Sequence, residues 1–267
     1  MQNTIFITGA SSGLGKETAL LFQRKGWNVV ATMRSPEKET AWTELPNVLL
    51  TRLDVTDQDS ISHAVSKAIE RFGKIDVLVN NAGYGLIGVF ESATAGQIQN
   101  QYDVNVFGLM NVTRAVLPIM RKQQQGLIIN ISSFGGITAG QFSSLYNSSK
   151  FAVEGFSEAL SHELTPLGIA VKIIEPGSVA TNFRNGMELI QNSIPDYDAE
   201  LSLMMSRYTK RTAHLTKASA ADVADVIYQA ATDGTTRLRY VAGDDAAFYI
   251  GLKQKNTEAE FLKLVRE

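Results

Sequence analysis

Tyr146 and Lys150 stand four residues apart in LYNSSKFAVEGF, with Ser133 upstream at the end of an apolar run. On a helix, positions i and i+4 share a face, so the phenol and the ammonium would lie side by side. A free tyrosine ionises near pH ~10, and a fixed neighbouring cation favours the phenolate. Bringing that value to ~7 takes about three units, or ~4 kcal/mol at ~1.36 kcal/mol per unit. One exposed lysine in water does not supply so much. A desolvated pocket with a second positive charge, such as an oxidised nicotinamide ring, would. A Tyr and a Lys at this spacing more often belong to a solvated face, so the weight of the pair rests on what precedes it.

Thr4–Thr8 (TIFIT) is short, apolar and β-branched, the pattern of a buried strand. It runs directly into Gly9-Ala10-Ser11-Ser12-Gly13-Leu14-Gly15, after which Lys16–Lys25 reads as a helix stopped by Gly26. A strand, a glycine turn and a helix start form a phosphate cradle. The glycines admit the pyrophosphate to the backbone, and the helix terminus offers N–H groups and a positive dipole end. The spacing is GxxxGxG and not GxGxxG.

Six more apolar runs read as strands: Asn28–Thr32, Val48–Leu53, Asp76–Asn80, Leu127–Ser132, Ala170–Glu175 and Leu238–Val241. Helical stretches separate most of them. Thr56-Asp57-Gln58-Asp59 reads as a capping box opening a helix that ends at Gly73, and longer helices are predicted over Ala95–Gln124 and Tyr146–Thr165. Alternating β and α elements with continuous apolar strands predict a doubly wound parallel sheet covered on both faces. Gly9, Asn80–Gly83, Ser133 and Pro176-Gly177 each follow a strand, so all fall on the carboxyl rim where such sheets bind ligands. After the second strand the sequence reads Thr32-Met33-Arg34, with no acid to hold a ribose 2′-OH. Arg34 is suited to clamp a 2′-phosphate, with Ser12 adding a hydroxyl, so NADP(H) is expected over NAD(H).

The ordered set TGASSGLG (Thr8–Gly15), NNAG (Asn80–Gly83), Asn105, Ser133, Tyr146/Lys150 and PGSVAT (Pro176–Thr181) resembles the short-chain dehydrogenase/reductases. The match spans residues 4–181, with a looser likeness to the end, and is similar to the branch containing 17β-hydroxysteroid and retinol dehydrogenase-like enzymes. The resemblance implies a Rossmann-type fold of about seven strands, with a dinucleotide core to residue 181, a substrate lid over 182–216 and a carboxyl-terminal region over 217–267. It implies that Tyr146 is the general acid for reduction and base for oxidation, while Lys150 binds the nicotinamide ribose and lowers the phenol pKa. Ser133 would hold the substrate oxygen in preference to its neighbour Ser132, and Asn105 would anchor a water relaying protons. The bland reading of Asn105 is a buried amide bonded to backbone. Asp54 and Val55 resemble adenine contacts, although Asp54 equally begins a turn. Asn81, Ala82 and Gly83 would line the nicotinamide ribose, whereas Asn80 would tie neighbouring strands. Pro176, Gly177, Val179 and Thr181 would place the carboxamide. A homodimer or homotetramer would form through the two long helices, which contain Phe107, Met110, Val153 and Phe156.

Composition agrees with one soluble enzyme domain. The 267 residues carry a net charge of −2 with acids and bases interspersed, which argues against a nucleic-acid or anionic-membrane surface. There is no cysteine, so disulfides and thiol chemistry are excluded. A strand beginning at Thr4 and the lack of a long apolar run predict a cytoplasmic protein without signal peptide or membrane span. His63, His162 and His214 are scattered, so no metal site is expected. The stretch Asn182–Thr216 reads as irregular; its Met187, Leu189, Ile190, Ile194, Tyr197, Leu201, Leu203, Met204, Met205 and Tyr208 suit an apolar carbonyl or alcohol substrate or, equally, close the core beneath that stretch. A 3-oxoacyl-type reductase, with Lys210 and Arg211 receiving an acidic carrier, and a non-catalytic dinucleotide-binding sensor are the alternatives. A sugar-nucleotide epimerase or dehydratase would show TGxxGxxG and a longer carboxyl-terminal region.

Overall fold

The computed structural model describes residues 2–39, 42, 45–179 and 187–266. In chain order its strands are β1 (Thr4–Ile7), β2 (Asn28–Met33), β3 (Val48–Arg52), β4 (Val77–Asn80), β5 (Leu86–Ile87), β6 (Gly126–Ile131), β7 (Ile169–Pro176), β8 (Glu188–Leu189) and β9 (Arg239–Ala242). Seven form one sheet in the order β3-β2-β1-β4-β6-β7-β9, and every neighbouring pair is parallel. The order reverses between β1 and β4, which opens a crevice above their carboxyl ends. The short strands β5 and β8 pair separately.

The two-residue period of β1 explains the layers. Ile5 and Ile7 point to one face and join Ala19 and Phe22 of α1 (Gly13–Arg24) in a core that also takes up Val223 and Ile227. Phe6 points to the other face, where Ile61, Val65 and Ala68 of α2 (Gln58–Phe72) meet Val112, Val116 and Leu160. The sheet is thus covered on both sides, as continuous apolar strands require.

Three local readings shift. Helix α2 is capped by Asp57, which accepts the N–H groups of Asp59 and Ser60; Thr56 is spent on Asp54. Gly73 ends it at φ 77°, as expected. The helix predicted over Ala95–Gln124 divides into α3 (Ala95–Tyr102), a π-helical turn over Asp103–Gly108, and α4 (Leu109–Gln123). The wide turn brings Gly108 against Val55, so close that a Cβ there would lie 2.6 Å from the valine methyl. Helix α5 (Ser144–Leu164) begins two residues before its first catalytic candidate, Tyr146.

The stretch expected to be irregular contains α6 (Asp198–Thr212). Beyond it lie α7 (Ala220–Thr232), which covers one face of the sheet, α8 (Asp244–Lys255) and α9 (Glu258–Arg266). Among the described residues no helix is long and apolar enough to cross a membrane.

Candidate active site

Two groups of residues meet on the carboxyl rim. The first is the turn after β1. Gly9 (φ 68°) and Gly13 (φ 53°) take a left-handed backbone, and a Cβ on Gly15 would overlap the Gly9 carbonyl. The turn is held from β4: Asn81 Nδ2 donates to the carbonyls of Thr8 (2.9 Å) and Gly9 (3.0 Å). The Thr8 hydroxyl accepts the N–H groups of Asn81 and Ala82, each at 3.0 Å. Ser11 and Ser12 are exposed, Ser12 makes no side-chain cap bond, and the first turn of α1 carries no acid. The cradle therefore offers uncapped helix N–H groups and a positive dipole end, with no acid in the first turn of the helix. These features fit a pyrophosphate.

The second group surrounds α5. The Ser133 hydroxyl accepts the Gly135 N–H (3.0 Å) and is hydrogen-bonded to the Tyr146 phenol. Ser132 Oγ lies by Gly136 and the Glu154 side chain instead, so the structure brings Ser133 and not Ser132 to the phenol. Lys150 is buried, donates to the Ile131 carbonyl at 2.9 Å, and sits 5.9 Å from the Tyr146 ring centre. Gly83 separates it from Asn105: a Cβ there would lie 3.8 Å from Lys150 Nζ and 3.1 Å from Asn105 Oδ1. Cradle, phenol, hydroxyl and amine thus share one rim.

The family model for short chain dehydrogenases matches residues 3–190. The chain belongs to the short-chain dehydrogenase/reductase family. It is 42% identical over 237 residues to an uncharacterized oxidoreductase of Schizosaccharomyces pombe, covering 88% of this chain and 98% of the relative. It is 37% identical over 239 residues to retinol dehydrogenase 8 of Bos taurus, covering 84% and 76%. The crystal structure of a short-chain dehydrogenase from Streptomyces avermitilis superposes with a TM-score of 0.86 at 33% identity, over 98% of this chain and 96% of that one.

Burial governs the electrostatics of this short-chain dehydrogenase/reductase. It pushes the Tyr146 phenol above its usual value, with the Ser133 hydrogen bond pulling the other way. It lowers the Lys150 ammonium to about 8, partly offset by the Glu154 carboxylate. The amine, turned to the Ile131 carbonyl, does not by itself hold the phenol down. Behind Lys150, burial and the Glu154 charge raise Glu175 to about 7 against the pull of Arg239. Arg239 Nε stands 3.1 Å from Glu154 and 3.4 Å from Glu175, and one oxygen of each carboxylate has no hydrogen-bond partner.

Several of the predicted residues also make local contacts that shape the rim. Asn105, in the π-helical turn, accepts the Tyr84 N–H (3.0 Å) and donates to the Tyr84 carbonyl (2.8 Å) and the Ser149 hydroxyl (3.2 Å). Its amide is spent on holding the Gly83–Tyr84 turn. Asp54 accepts the N–H and hydroxyl of Thr56 and so begins the turn into α2. Asn80 ties β4 to β6 through Asn130 at 2.8 Å. Arg34 is exposed at the end of β2 and makes no ion pair among the described residues. Thr181 lies outside the described residues, whereas Pro176, Gly177 and Val179 are placed at the end of β7. Sequence reading missed Thr8 as the latch between cradle and β4, and Lys16, which pairs with Glu39 at 2.9 Å. The TG dipeptide marks Thr8; nothing local marks Glu39.

Proposed function

We propose that this enzyme is an NADP(H)-dependent oxidoreductase that interconverts an apolar carbonyl compound and its secondary alcohol. The observation that carries the reading is the Ser133–Tyr146 hydrogen bond above the buried Lys150, on the same rim as the uncapped start of α1. When bound, the dinucleotide supplies or accepts the hydride. Tyr146 gives a proton to the carbonyl oxygen in reduction and removes it from the alcohol in oxidation. Burial keeps the phenol protonated and ready as the acid. Ser133 donates to the substrate oxygen as its negative charge develops. Lys150, Ala82 and Gly83 would hold the nicotinamide ribose, and Asn105 secures that wall through its bonds to Tyr84.

The 2′-phosphate preference rests on Arg34, exposed where a carboxylate would otherwise hold the ribose. The carboxylate that the following loop does bring back, Glu39, is neutralised by Lys16. An apolar substrate is supported by a cavity of ≈390 Å³ beside the first turn of α5, lined by Gly88, Val89, Phe90, Glu91, Phe142, Ser144 and Tyr197. Likeness to a retinol dehydrogenase agrees with an apolar alcohol.

Fluorescence titration with NADPH and NADH tests the first half of the reading. A panel of steroids, retinoids and aromatic aldehydes, followed at the reduced-nicotinamide absorbance, tests the second. Tighter NADPH binding and turnover of at least one apolar member are expected; binding of neither dinucleotide would overturn the reading.

A further inference from the structure

We propose that Asp245 and Tyr208 are positioning residues that fix the Gly177–Ser178 turn against the nicotinamide end of a bound dinucleotide, Asp245 from the carboxyl-terminal edge of the sheet and Tyr208 from α6. The proposal rests on the dinucleotide reading above.

Strands β7 and β9 end level, with Pro176 beside Ala242, and the Gly177 N–H donates to the Ala242 carbonyl at 2.9 Å. After β9 the chain turns at Gly243 (φ 104°) into α8, which carries Asp245 back across the end of β7. Asp245 is fully buried. Its Oδ2 accepts the Ser178 N–H at 2.7 Å and its Oδ1 the Ala246 N–H at 3.0 Å. No cation pairs with it among the described residues. A buried carboxylate is costly unless hydrogen-bonded, and here backbone N–H groups and the start of a helix do the stabilising. A Cβ on Gly177 would fall inside this carboxylate, which explains the glycine better than backbone freedom does.

The same turn is gripped from the other side. The Ser178 hydroxyl is hydrogen-bonded to the Tyr208 hydroxyl on α6. The Tyr208 ring stacks on Tyr249 of α8 (6.3 Å, 1°), and Tyr249 stacks on Phe134 (5.3 Å, 18°), the residue after Ser133. The backbone of the turn is thus set by α8 and its side chain by α6, and an aromatic ladder ties both to the Ser133 turn. A turn so fixed at the end of a parallel strand sets where a planar ring entering the crevice comes to rest.

The test compares NADP⁺ with 2′-phospho-ADP-ribose, which keeps the adenosine and pyrophosphate but lacks the nicotinamide. Dissociation constants for both, by calorimetry, are measured on the wild type, Asp245→Asn and Tyr208→Phe, together with ligand-free thermal midpoints. Asp245→Asn is expected to weaken NADP⁺ by about tenfold and Tyr208→Phe by about threefold, the scale of one lost hydrogen bond. Both should leave 2′-phospho-ADP-ribose within about twofold. Equal weakening of the two probes, or no weakening of either, overturns the proposal. Tyr208→Phe removes one half-buried hydroxyl and so decides the matter if Asp245→Asn does not fold. A wild type that binds neither probe removes the NADP(H) reading on which the proposal rests, a different result from one that binds both while the variants leave their ratio unmoved.

Discussion

The two halves of the rim are built on opposite principles. Around the cradle, Thr8, Gly9, Asn81 and Ala82 satisfy one another through neutral hydrogen bonds, and no charge is buried among them. Around α5, Lys150, Glu154 and Glu175 are all buried, with a half-exposed Arg239 between the two acids. One half fixes shape; the other holds electrostatic energy in place. Affinity for a dinucleotide should therefore depend on sterics in the first half, and pH dependence should come from the second.

The largest effect expected is on chemistry alone. Tyr146→Phe should lower kcat by about 10³-fold or more, in the upper range for losing a general acid, while dinucleotide affinity by fluorescence stays within a few fold. Normal turnover would take the phenol out of the mechanism. Gly15→Ala should do the reverse. Its methyl would overlap the Gly9 carbonyl oxygen and lie 2.5 Å from Asn81 Nδ2, so titration should show dinucleotide affinity falling about 100-fold, with stability lower by ~1–3 kcal/mol from overpacking. Unchanged affinity would mean that the cradle is not rigid.

A smaller effect probes the charged half. The folded pKa of Glu175 is raised to about 7 from 4.5, so between those values the unfolded chain has lost a proton that the folded one keeps. Stability from this group is full below about pH 4.5 and is lost as pH rises through 7. Calorimetry should find Glu175→Gln gaining on the wild type from pH 5 to pH 8, by on the order of 2 kcal/mol. A gap that does not change with pH would show the carboxyl to be ionised throughout. The smallest effect is Arg34→Ala, expected to weaken NADPH by about tenfold and NADH hardly at all. Equal losses would refute the phosphate clamp.

Legibility followed the same division. The cradle and the strands were readable because local sequence dictates them: β-branched runs make buried strands, and glycines mark the turn. The spacing of Tyr146 and Lys150 was readable for the same reason. What escaped was set by partners distant in sequence. Nothing within the segment Ala95–Gln124 announces the π-helical turn, whose last residue, Gly108, packs against Val55 from outside the segment. Helix α6 was read as irregular because Leu203 is exposed and only part of its apolar content is covered. Asp245 gave no signal at all, since its partner Ser178 lies 67 residues away.

The small pairing of β5 with β8 has an evolutionary consequence. Leu86 and Ile87 stitch Glu188 and Leu189 to the exit of β4, and a Cβ on Gly88 would lie 2.7 Å from the Ile190 side chain. The chain leading into α6 therefore departs from a fixed post, and segments of other length or chemistry placed after Ile190 would inherit the same point of departure. Chimeras joined there would keep the cradle of β1 and α1 while replacing α6 and, with it, the Tyr208 contact to Ser178.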